Sequence, residues 1–213
     1  MSLDKETIVD LMRSEKFCTA RFLGANEDLD ERIEKDKKEL ESHGISKKQI
    51  CDVLKSALKV YSKEYNKKPG HMRLFNSSIK GDFVFHLDGS MFLGSQRCPY
   101  DMNENQTCNN ERFTCQHYIR IVKYKRMNFD EPLEIFSFGS LNIHLIEEHD
   151  FFEGKHLAYR LCPRKIIKFF GLEPGVDVEN FFENSDQPLQ TVYDPIPNIF
   201  YFGAGCAGLT YST

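Results

Sequence analysis

The chain has no tryptophan, no long apolar run and no excess of positive charge. Each absence excludes something. Without Trp, large apolar area must come from elsewhere, and the chain carries 18 Phe. A phenyl ring has no polar atom to keep wet, so these rings are expected to fill a core rather than line a hydrated binding surface. No stretch approaches the ~18 apolar residues of a bilayer-crossing helix. The polar start Met1-Ser2-Leu3-Asp4-Lys5-Glu6 is followed by no apolar signal core, so a cytoplasmic protein with no membrane partner is expected. The net charge is −4, from 28 Lys+Arg and 32 Asp+Glu. That total supplies no phosphate-neutralising surface, so nucleic acid is not an expected partner; a protein partner stays open. The 7 Cys are odd in number, and without an export signal no disulfide framework is expected. The glycosylation patterns at Asn76 and Asn105 are coincidental in such a chain.

What is present fits one domain of 213 residues, large enough to fold without staples. Residues 1–68 read as helical, 69–140 mainly as strands with a hairpin, and 141–213 as short helices and a loop-rich tail. Helices followed by antiparallel strands indicate an α+β fold, with an N-terminal helical block packed on a small antiparallel sheet.

Ile8, Leu11 and Met12 give residues 5–14 one apolar face. A second, heavily charged helix starts after Asn26 as its cap, with Glu27, Asp28 and Asp30 at the positive end of its dipole. It ends near Gly44, with a thin apolar seam through Leu29, Ile33 and Leu40. Ser46-Lys47-Lys48-Gln49 is a capping box. It opens the clearest helix, striped by Ile50, Leu54, Ala57, Leu58, Tyr61 and Tyr65 and stopped by Pro69-Gly70. No recognition helix follows, so this is a core helix rather than half of a DNA-binding pair.

Phe83, Phe85 and Leu87 alternate as a strand, Asp88-Gly89 offers a two-residue hairpin turn, and Met91 to Leu93 return. His117–Arg126 forms another strand, with Ile119 and Ile121 on one face and Val122 and Tyr124 on the other. Its Arg120, Lys123, Lys125 and Arg126 read as a solvated basic strand. Leu133–Phe138 is a further strand, Ser140 begins a short helix to about Glu148, and Cys162-Pro163 starts a last one that ends at Gly171. Two similar phrases, Phe151-Phe152-Glu153-Gly154 and Phe181-Phe182-Glu183-Asn184, are expected to plug loops onto the core. Gly203-Ala204-Gly205-Cys206-Ala207-Gly208 imitates a dinucleotide fingerprint, but too little chain follows it for the helix that would meet a pyrophosphate.

The chemistry is concentrated between residues 98 and 149, where Cys98, Cys108, Cys115, His117, His144 and His149 lie. Thiolates and imidazoles are the donors that hold Zn²⁺ tetrahedrally, four of them in a structural site. The polar stretch Asn103–Thr114 has too few apolar residues to order itself by burial, and one zinc ion would supply the constraint. The expected ligands are Cys98, His144 and His149, with Cys108 or Cys115 as the fourth and His117 in reserve. The spacing from His144 to His149 falls within zinc-finger values. On a regular helix, however, residues five apart are about 140° out of line. Both rings reach one ion only if the helix tightens or ends before His149. The alternatives are a zinc-dependent hydrolase on the His144-Glu148-His149 helix, with Glu148 as base, and a metal-free interaction module.

Overall fold

Asp4 begins the first helix, α1 (Lys5–Arg13), by accepting a hydrogen bond from the Thr7 amide at 2.8 Å. The molecule is seen here in a computed structural model that describes residues 4–15, 21–67, 74–93, 98–100, 115–126 and 131–183, with backbone alone for 64–67, 74–78, 90–93 and 115–116. Among these residues no helix is long and apolar enough to cross a membrane. The cap of α2 (Leu29–Ser42) is Asp28, whose carboxylate accepts from the Glu31 amide. Asn26 does not cap it, because Gly24 to Glu27 close a turn of their own through Glu27 N–H to the Gly24 carbonyl. The capping box of α3 (Lys47–Lys67) is formed as expected: Gln49 N–H donates to Ser46 Oγ, and Ser46 N–H donates back to Gln49 Oε1. Ile50, Val53, Leu54, Ala57 and Tyr61 are buried along it. The side chain of Tyr65 lies outside the described residues.

Four strands follow, β1 (Leu74–Lys80), β2 (Phe83–Leu93), β3 (Cys115–Lys125) and β4 (Glu134–Gly139), in one antiparallel meander ordered β1-β2-β3-β4. Two short helices complete the frame, α4 (Ser140–His149) and α5 (Pro163–Phe170). The result is an N-terminal helical block on a small antiparallel sheet, with short helices C-terminal to it. The tail through Pro188, Pro195, Pro197 and Ile199–Phe202, and the glycine-rich phrase after it, lie outside the described residues.

The hairpin is not where Asp88-Gly89 points. Both residues lie inside β2, and the turn is Gly81-Asp82, with Lys80 paired to Phe83 and Gly81 at φ +54°. Glycine takes that left-handed value without a steric penalty. Gly89 serves packing instead. A Cβ there would sit 2.3 Å from Cε2 of the buried Tyr61, so α3 crosses the sheet where the strand has no side chain. Gly89→Ala is expected to destabilise the protein by about 2 kcal/mol or more, because neither a buried ring nor a central strand can yield. Urea unfolding measures it, and a loss under roughly 0.5 kcal/mol would disprove the close approach.

One sheet face carries Phe85, Leu87, Ile119, Ile121 and Phe138 onto α3 and α5. Phe85 is the hub of an aromatic cluster, with the rings of Phe169, Phe170, Phe181 and Phe182 at 5.5–6.1 Å. The two Phe pairs do plug onto the core: Phe151, Phe152 and Phe182 are buried, and Phe181 packs against the main cluster. The basic strand is solvated at Lys125 and Arg126, which are exposed, but not at Lys123. Strand alternation puts Lys123 on the inner face, 8% exposed, with Nζ donating to the Phe169 carbonyl at 2.6 Å and lying 4.1 Å from the Phe83 ring centroid. A cation there meets the negative end of α5. Burial pulls its pKa below the usual lysine value, against the pull of Glu134.

Candidate metal centre

β4 runs into α4 without an intervening residue, and Gly139 is both the last strand residue and the helix cap. Asn142 Oδ1 accepts from the Gly139 amide at 2.7 Å, which fixes the first turn. The helix is buried on most sides. Leu141 and Leu145 face one apolar cluster, with Met12, Phe22, Leu23, Leu29 and Phe151. Ile143 and Ile146 face the main core.

The helix neither tightens nor ends before His149; it runs through that residue and closes at Asp150. Asp150, in the left-handed conformation at φ 56°, points its N–H at the carbonyls of both Ile146 and Leu145. The Phe151 amide also bonds to the Leu145 carbonyl, at 3.0 Å. Bonds of this kind from a left-handed residue close the C-terminus of a helix, and His149 is the last helical residue before them. The His144 and His149 rings meet edge to face with centroids 5.3 Å apart.

Cys98 completes the group. Its Sγ lies 3.3 Å from Nε2 of His149, and donor atoms of Cys98, His144 and His149 all fall within 4.8 Å of one another. Among the described residues no other Cys, His, Asp or Glu set brings three donors together in this way. In tetrahedral zinc, Zn–S of about 2.3 Å and Zn–N of about 2.0–2.1 Å put sulfur and nitrogen about 3.5 Å apart. The Cys98–His149 separation already matches that edge. Tyr100 stacks flat on His149, with centroids 3.9 Å apart and planes 13° from parallel. Burial, then the nearby His144, pushes the His149 pKa down to about 4 against the opposing pull of Asp150. The imidazole is therefore neutral at pH 7, with a lone pair to offer.

The other sequence candidates go elsewhere. His117 sits on β3 with its ring 5.4 Å from that of Tyr61, away from the three donors. Cys115 begins β3 opposite Leu93, five residues before Cys98. Cys108 lies outside the described residues. Glu148 is exposed and is not among the converging donors. Cys51 is buried in α3, and burial pushes its thiol up to about 12, which leaves it unreactive.

A second polar group has no counterpart in the sequence reading. Asp36 of α2 is 2% exposed and accepts from Arg32 Nη2 at 2.7 Å and from both terminal nitrogens of Arg160. Arg160 also donates to the Glu153 carbonyl. The Glu153 carboxyl, 3% exposed, accepts from Asn142 Nδ2 at 2.7 Å. Asp36 sits on the α2 seam between Ile33 and Leu40 at helical spacing. An acid on an apolar stripe was the one available signal that a buried cation must face it.

Compared with protein-family models, curated proteins and solved structures, the chain matches none.

Proposed function

We propose that Cys98, His144 and His149 hold one structural zinc ion with a second cysteine as fourth donor, in a single-domain, non-catalytic intracellular protein. One observation carries this: three soft donors from two distant chain segments converge within 4.8 Å on a partly buried spot. Cys115 or Cys108 would close the shell. The register favours Cys115, because β3 starts beside the strand that leads to Cys98. A closed shell of four holds structure, whereas three ligands and a water make a catalyst. A hydrolase would need a carboxylate aimed at the ion, and the exposed Glu148 does not join the donors. A metal-free thiol–imidazole hydrogen bond would join Cys98 and His149 alone, whereas an ion would engage all three donors.

The test is metal content by mass spectrometry on untagged protein, before and after chelator dialysis. About one equivalent of zinc is expected, and its removal should cost a few kcal/mol, roughly 10 °C in Tm for a chain of this length. Cys98→Ser and His144→Ala should each reduce the content to near zero. Of Cys115→Ser and Cys108→Ser, the one that does the same identifies the fourth ligand. Metal well below one equivalent, with stability indifferent to chelator, would leave a metal-free interaction module.

A further inference from the structure

Among the described residues, the buried apolar ones form two clusters. The larger joins α3, the sheet and α5. The smaller joins Met12, Phe22, Leu23 and Leu29 to Leu141, Leu145, Phe151 and Cys98. Cys98 is thus both a metal donor and part of the small cluster, and Tyr100, stacked on His149, packs against the same cluster. The helix α1 has nine residues, below the ~12–15 at which an isolated helix holds in water. It is a helix because Ile8, Val9 and Met12 dock here. The backbone continues the dependence, since Phe22 and Leu23 amides bond to the Met12 carbonyl, and Gly154 N–H bonds to that of Phe22.

We propose that an ion at Cys98, His144 and His149 latches α1 and residues 21–29 onto α4, so that its loss releases this N-terminal segment while the sheet stays folded. The latch rests on the zinc reading. It adds a metal-dependent change of surface: releasing α1 uncovers the apolar flank of α4 around Leu141 and Leu145. A small cluster with its own boundary is the unit that opens below the global unfolding free energy.

Hydrogen–deuterium exchange on the full chain, zinc-loaded and after chelator dialysis, tests it. Chelation should speed amide exchange in residues 5–13 and 21–29 by roughly tenfold or more, and in α3, β2 and β3 by less than about twofold. If zinc leaves and the N-terminal protection is unchanged, the latch is wrong and the zinc site stands. A uniform rise along the chain also overturns it, because the ion would then support the whole fold. If zinc is never present, both ideas fall. Coupling is reciprocal, so Met12→Ala, which removes no donor, should still bind one equivalent but about tenfold more weakly. Unchanged zinc affinity in Met12→Ala would refute the coupling directly.

Discussion

Replacing Arg160 with alanine is expected to lower the unfolding free energy by about 3–5 kcal/mol, or roughly 10 °C in Tm for a protein of this size. The guanidinium grips both oxygens of Asp36, at 3.0 and 2.5 Å, and donates to the Phe152 carbonyl at 3.4 Å as well as to that of Glu153. Both charged side chains are nearly dehydrated, at 10% and 2% exposure. Arg160→Ala strands half of a buried carboxylate and the Glu153 carbonyl, with Arg32 alone to serve Asp36 and the Leu161 amide still on the Phe152 carbonyl. Desolvation makes such a remnant costly, although the intact group adds little net stability. The triple change Arg32→Met, Asp36→Leu, Arg160→Met should therefore recover most of the loss. A urea midpoint for Arg160→Ala within about 0.5 kcal/mol of the parent would show that water reaches the group and that the network is ornamental.

Glu153 gives the second large effect, and it appears only as a function of pH. Burial pushes its carboxyl up to about 8, against the lowering pulls of the Asn142 hydrogen bond and Arg160. Because the folded pKa is raised, the acid binds its proton more tightly in the fold than in the unfolded chain. Its stabilising contribution is complete below about pH 4.5 and is lost as pH rises through about 8. Across that window the loss is on the order of 4 kcal/mol, at about 1.4 kcal/mol per pH unit. Glu153→Gln keeps an acceptor for Asn142 and cannot ionise. The variant should match the parent near pH 4.5 and exceed it by a few kcal/mol at pH 8.5, with metal held constant. Parallel stability curves for the two proteins would mean that Glu153 is ionised, and paired, at all these pH values.

These two groups were also the least legible in the sequence. Arg160 and Asp36 are 124 residues apart, and nothing local to either announces the other. Helices were readable because their reasons are local: a cap such as Ser46, a stripe such as Ile50 to Tyr61, a stop such as Gly171. The β1–β2 turn was misplaced because Asp88-Gly89 has the better turn chemistry, while β1 carries Asn76, Ser77 and Ser78 and shows no apolar alternation. Gly89 is glycine for a reason that lives on another element, the ring of Tyr61. Lys123 was misjudged in the same way, since a charged residue reads as solvent-facing until a helix end is found beneath it. The metal donors lay between these extremes. Residue type alone singled out Cys98, His144 and His149, but the ideal-helix angle argued against them. The fold brings the two rings together all the same, with centroids 5.3 Å apart.

The direct passage from β4 into α4 has a further consequence. With no loop at Gly139 to absorb an error, the azimuth of the helix is dictated by the phase of the strand. A one-residue slip of β4 along β3 would turn its inner face outward. It would also swing both imidazoles away from Cys98. The pairing of Ile121 with Phe136 and of Ile119 with Phe138 therefore acts as a keyway: the same apolar contacts that hold the sheet in phase also point the two histidines at their sulfur.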